Sequence, residues 1–184
     1  GIGLFRPGYW KYGAAPDLDV RLAEVQRELL GLASIARAYN LAMAFHNANG
    51  DSVGAALWDV NTAFRGIDPR WVGYDFDPGF ATEMCGPSGV NTALRLALPR
   101  VKAVTVRDFT WSKDPAGGLK AMPCPLGEGV VDWRQFFAAL GRVRFVGPVT
   151  IQVGYTAPDE LNAFRHDLEF VRKLVTSYVI IPVN

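Results

Sequence analysis

The chain has few of the residues that usually mark chemistry. Of its 184 residues two are cysteine, Cys85 and Cys124, and two are histidine. Two cysteines in unlike contexts make neither a disulfide framework nor a CxxC motif, and a reducing, cytoplasmic setting is expected. An excess of one charge is missing as well: 19 Lys and Arg face 18 Asp and Glu, for a formal net charge of +1. Such a balance gathers neither nucleic acid nor an anionic membrane, so neither is expected as a partner. No apolar run approaches the roughly 18 to 20 residues of a membrane span. The sequence also lacks a GxGxxG after a strand signal and a GxxxxGK[ST], the two common phosphate-binding loops.

What is present is material for a core. With 49% hydrophobic, 12% aromatic and 20% charged residues, the composition is globular, and the length favours one domain spanning residues 1–184. Two periods alternate along it. Strand signals fall at Leu4 to Arg6, Leu41 to His46, Trp71 to Asp77, Val101 to Asp108 and Pro148 to Tyr155. Between them, Leu22, Val25, Leu29, Leu32, Ile35 and Ala36 keep the three-and-four spacing of a helix face behind Asp17 or Asp19. Further helices are expected over Ala55 to Phe64, Asn91 to Leu98, from Asp132 through Trp133, Phe136, Phe137 and Leu140, and over Pro158 to Val175. Pro78-Gly79 is expected to break the third strand, and Phe109 to Gly129 reads as one long loop.

Five βα units imply a parallel sheet with right-handed crossovers. Polar residues gather at the carboxyl end of every strand, which suits a barrel mouth better than a doubly wound sheet. The fold class is therefore α/β, a partial (β/α)8 TIM barrel, since a whole one needs about 250 residues. The first and fifth strands would be open parallel edges. The β-prone tail within 176–184 is expected to add an edge strand. Alternatively, the missing units lie upstream, or two chains cover the edges as a homodimer.

The strand ends offer Arg6, His46 with Asn47, Asp75 with Asp77, Thr105 with Arg107 and Asp108, and Gln152. Each has a plainer reading: His46 a satisfied core group, Asp77 a turn residue, and Arg107 with Asp108 an ordinary ion pair. Glu128, flanked by glycines, either faces the mouth or caps the helix near Asp132. Arg6, Lys11, Arg107 and Lys113 could meet an anionic group, and Tyr9, Trp10 and Trp111 could stack on sugar faces or simply pack. His166 reads as a solvated-face residue.

Four stretches resemble the sugar phosphate isomerase/epimerase family, the xylose isomerase-like TIM barrels related in fold to endonuclease IV. They are Tyr74-Asp75-Phe76-Asp77-Pro78-Gly79-Phe80-Ala81, the strand Val101 to Asp108 with Phe-Thr-Trp after it, Pro125 to Trp133, and Gly147 to Val153. The resemblance runs from Leu4 to about Val175 and corresponds to the last five βα units of the family barrel. It implies a divalent Mn, Mg, Co or Zn ion at the mouth that polarises a sugar oxygen while two Glu residues shuttle a proton. At those four positions stand His46, Asp77, Thr105 and Gln152, of which only Asp77 matches, and Phe80 stands where a substrate-binding His is expected. His46, Asp77 and Gln152 remain as weak metal donors. A Gln cannot take a proton from carbon, so the catalytic candidates become His46, Asp77 and Glu128, with Asp108 behind them.

The expected substrate contacts are Arg6, Asn47, Arg107, Asp108, Trp111 and Gln152. The resemblance implies an isomerase or epimerase acting on a small sugar or sugar phosphate. Two other readings stand beside it: a non-catalytic sugar- or polyol-binding homologue, and a lyase or hydrolase using His46 and Asp77 as an acid/base pair. Two histidines are too few for the trinuclear zinc cluster of the endonuclease relative.

Overall fold

A computed structural model describes residues 2–178. The chain divides into two compact units, Gly1–Val104 and Thr105–Asn184.

The first unit holds β1 (Leu4–Phe5), α1 (Leu18–Ala38), β2 (Ala42–His46), α2 (Trp58–Ala63), β3 (Val72–Phe76), α3 (Pro78–Ala97) and the start of β4 (Val101–Val106). The strands run in the order β1-β2-β3-β4, each parallel to its neighbour. All five residues of β3 are buried, as expected of a parallel strand covered on both faces. Helix α1 begins where Asp17 accepts hydrogen bonds from Asp19 N and Val20 N at 2.9 and 3.1 Å. The expected stripe buries Val25, Leu29 and Ala36, while Ile35, at the margin of that face, is 53% exposed. Beneath it lies an aromatic core of Phe45, Phe64 and Tyr74, with centroids 6.0 and 4.9 Å apart in sequence.

Pro78-Gly79 ends the third strand, as expected, and it also opens α3, with Pro in the first helical turn, where its missing N–H costs nothing. The helix expected from Asn91 thus starts at Pro78 and bends at Gly86 (φ 69°, ψ 174°), just ahead of Pro87. The pairing of β3 with β4 also shifts between Tyr74 and Asp75: Tyr74 faces Val101, and Asp75 faces Ala103. Gly73 permits this close approach, because a Cβ there would run into the Arg100 carbonyl oxygen.

The second unit holds the end of β4, then β5 (Asp108–Lys113), β6 (Leu119–Cys124), α4 (Trp133–Arg142), β7 (Val149–Ile151) and α5 (Glu160–Tyr178). The stretch Phe109 to Gly129 is not one loop. It contains an antiparallel hairpin paired from Asp108 with Cys124 to Lys113 with Leu119. The fifth strand is shorter than expected, and Gln152 follows it, its N–H donating to the Val106 carbonyl at 3.0 Å. β7 is thereby the neighbour of β4 and the last of five strands in the order β1-β2-β3-β4-β7. Trp133 of α4 packs against Phe170 of α5 and against Phe136 and Phe137 of its own helix.

Residues 176 to 178 of the tail finish α5; the rest of the expected edge strand, 179–184, lies outside the described residues. Among the described residues no helix is long and apolar enough to cross a membrane.

Candidate functional site

Parallel register places His46 opposite Asp75 at the carboxyl ends of β2 and β3. Asp77 follows Asp75 by two, so both carboxylates leave the strand on the same side. The three side chains are buried, His46 at 4%, Asp75 at 2% and Asp77 at 0% exposure. A buried charge needs partners, and each carboxylate has them. Asp75 pairs with Arg6, whose side chain comes off the end of β1 and stays 37% exposed.

Asp77 is bound on every side. Its Oδ2 lies 3.3 Å from His46 Nε2, and its Oδ1 accepts from Phe80 N at 2.9 Å, capping α3. Its own N–H donates to Asn47 Oδ1 at 2.8 Å, and its carbonyl accepts from Asn47 Nδ2 at 3.0 Å. Asn47, expected to contact substrate, is fully buried and positions Asp77 instead. On the other side of the imidazole, Tyr9 Oη lies 2.8 Å from His46 Nδ1. The Phe80 ring sits 5.9 Å from that of His46. Hence Tyr9, His46 and Asp77 form one hydrogen-bonded row, with Arg6 and Asp75 at the neighbouring strand ends. The contact with Tyr9 has no signal in the sequence, since 37 residues separate it from His46.

The loop that carries Tyr9 is tied down. Val53 N donates to Trp10 O at 3.0 Å, Lys11 Nζ to Ser52 Oγ at 2.6 Å, and Tyr12 Oη to Asp59 Oδ2 at 2.7 Å. Burial and the Asp59 carboxylate raise the Tyr12 phenol well above its usual range. Trp10, a candidate stacking platform, is buried and lies flat against Phe45, with centroids 5.6 Å apart.

In the second unit the expected site residues take several roles. Asp108 is 2% exposed. Its carboxylate accepts from the N–H groups of Phe109, Gly127, Gly129 and Val131 and from Trp133 Nε1. Five donors shape the loop from Pro125 to Trp133 around it, which is a structural use of the residue. Glu128 does not cap α4; Asp132 does, accepting from Gln135 N at 3.0 Å. Glu128 instead lines a shallow groove of about 370 Å³ with Tyr155, Asp159, Asn162 and His166. Burial, together with the charge of Asp167 and a hydrogen bond to it, pushes the Tyr155 phenol up to about 12. His166 is half exposed, in keeping with a solvated face. Trp111 is 42% exposed at the hairpin, edge-on to Phe109 at 5.1 Å. Thr105 is buried, Arg107 half-buried and Gln152 exposed.

A divalent ion requires several anionic or imidazole donors aimed at one point. The first unit offers His46 and Asp77, and all four of their donor atoms already carry a hydrogen-bond partner. The other two positions implied by the resemblance hold a neutral hydroxyl, Thr105, and a neutral amide, Gln152. Among the described residues no group of three or more His, Cys, Asp or Glu is placed to hold a metal ion. The residues present do not fit a divalent centre of the implied kind.

Five parallel strands, crossover helices and a polar row at the strand ends define an α/β protein with a partial barrel architecture. Residues 1–174 match the family described as xylose isomerase-like TIM barrel, and the chain belongs to that family. No curated protein matches it. Among solved structures, the chain is similar to the IOLI protein crystallised with a bound zinc atom, at 15% identity and a TM-score of 0.75, over 97% of this chain and 64% of that one. It is similar to 3-keto-D-glucoside 4-epimerase from E. coli at 17% identity and a TM-score of 0.68, over 92% and 63%. D-allulose 3-epimerase from Methylomonas sp., in complex with D-allulose, follows at 17% identity and a TM-score of 0.61, over 93% and 62%. The chain thus spans somewhat under two thirds of the length of these structures.

Proposed function

We propose that the protein is an isomerase or epimerase of a small sugar or sugar phosphate, working at the strand ends of its first unit. The observation that carries this reading is the buried His46–Asp77 pair, 3.3 Å apart, at the ends of two adjacent parallel strands. In barrels of this architecture the strand ends are where substrate is met. Membership of the xylose isomerase-like family and the D-allulose complex of a structural neighbour support a sugar as the ligand.

In this reading His46, backed by Asp77, takes up a proton from the substrate, Asn47 fixes the Asp77 backbone, and Arg6, held by Asp75, binds a sugar oxygen or a phosphate. No step is assigned to a metal, because the donor set does not fit one. The test is solvent-deuterium incorporation into D-allulose, D-fructose and D-tagatose, followed by proton NMR, with Asp77→Asn as control. Incorporation that the variant loses is the expected result; absence of both incorporation and binding overturns the reading. Binding without incorporation would point to the second reading, a non-catalytic sugar-binding homologue, which the neutral Thr105 and Gln152 favour.

A further inference from the structure

We propose that Tyr9 is the catalytic residue that meets the sugar, relaying a substrate hydroxyl proton to His46; this inference rests on the reading above. The argument starts from access. His46 and Asp77 are 4% and 0% exposed, and both ring nitrogens of His46 have partners, Tyr9 Oη at 2.8 Å and Asp77 Oδ2 at 3.3 Å. Tyr9 is 52% exposed, so in this row the phenol is the end that solvent or a ligand reaches.

The hydrogen bonds also fix the direction of transfer. An ionised carboxylate only accepts, so Asp77 holds the proton of the neutral imidazole on Nε2. Nδ1 is then the acceptor, and the Tyr9 hydroxyl donates to it. When a sugar hydroxyl donates to Tyr9 Oη, that O–H bond breaks and a new one forms on the phenol as the phenol's own proton passes to Nδ1. The products are a sugar alkoxide and an imidazolium whose Nε2–H faces the Asp77 carboxylate. Atoms and charge balance without any co-reactant, and the reverse transfer restores the row. This is the division of labour of a nucleophile, a base and an orienting carboxylate, with the substrate hydroxyl as the group activated.

Tyr9 is also held for this task. Its neighbour Trp10 lies stacked on Phe45 and accepts from Val53 N, and Lys11 and Tyr12 tie the following turn to Ser52 and Asp59. A fixed loop keeps the phenol within reach of Nδ1 and spares the site the ordering cost of positioning a mobile group.

The experiment is Tyr9→Phe in the full chain, which removes one oxygen from a half-exposed side chain. Long-range proton–nitrogen NMR has only two histidines to separate. The wild type should show His46 protonated at Nε2, and the variant should shift the Nδ1 resonance while the Nε2–H stays. Turnover of the sugar to its isomer or epimer, followed by proton NMR, should fall by about 100-fold in kcat with KM little changed. A His46 protonated at Nδ1 in the neutral ring, or an Nδ1 resonance indifferent to the substitution, overturns the relay. An active wild type with an undiminished variant overturns the role of Tyr9 alone, whereas a wild type inert toward every sugar overturns the isomerase reading and the relay together.

Discussion

Asn47 grips Asp77 by both faces of its peptide, accepting from its N–H at 2.8 Å and donating to its carbonyl at 3.0 Å. Both residues are wholly buried. Asn47→Ala therefore strands a buried donor and a buried acceptor, at about 2 to 4 kcal/mol for the two together. The urea midpoint should fall by the corresponding amount with an unchanged m-value. Asn47→Asp should also destabilise, because a carboxylate cannot donate to the Asp77 carbonyl and would add a second buried negative charge.

Metal should leave the stability unmoved. A ligand that binds only the native state raises the unfolding midpoint by mass action. With His46 and Asp77 hydrogen-bonded at all four donor atoms, chelator treatment followed by Mn, Mg, Co or Zn should leave the thermal midpoint where it was. An upward shift that Asp77→Ala abolishes would mean that the row opens to admit an ion.

Gly129 is irreplaceable for a reason of space. A Cβ there would strike the Asp108 carboxylate and the Phe109 carbonyl oxygen. Gly129→Ala must displace the acceptor around which four backbone N–H groups and Trp133 Nε1 are arranged. We expect destabilisation of about 1 to 3 kcal/mol, the usual range for overpacking a close site. A shift of Trp133 fluorescence in the folded protein would report the loss of its hydrogen bond.

Cys124 should be a slow thiol. Burial first, then the negative charges of Asp108, Glu128 and Asp167, push it up to about 11 from 9.0. A raised pKa means the proton is kept to higher pH, so at pH 8 the thiolate fraction is about 100-fold below that of an ordinary thiol. Iodoacetamide labelling of Cys124 in a Cys85→Ser background should be slow at pH 8 and accelerate up to about pH 11. Labelling at the rate of a free thiol would contradict this environment.

The sequence was legible where one local rule dominates. The apolar spacing of α1 and α4 and their Asp caps gave both helices, and the five strand signals gave the parallel order. It misled where two rules compete. Pro78-Gly79 does stop the strand, but the helix expected from Asn91 starts already at Pro78, because after the capping Asp77 a Pro is well suited to a first helical turn. The strand Leu119–Cys124 is largely exposed and contains Pro123, so it lacks the alternation that reveals a half-buried strand. At the site, strand-end position identified His46 and Asp77 but could not separate them from Asn47 and Asp108, whose hydrogen bonds go to backbone groups and, for Asp108, also to the Trp133 indole. In the sequence Tyr9 reads only as a stacking ring, because its partner is fixed by the path of a loop and by no pattern of residues.

Gly73, finally, controls phase between two strands. Because it lets β4 come close, Tyr74 pairs with Val101 and Asp75 with Ala103, so that Lys102 is passed over. Side chains alternate along a strand, so passing over one residue reverses which side chains of β4 share a face with those of β3. On the other side of β3 the pairing with β2 runs unbroken from Met43 with Val72 to His46 with Asp75, and the frame that sets the acid beside the base is kept.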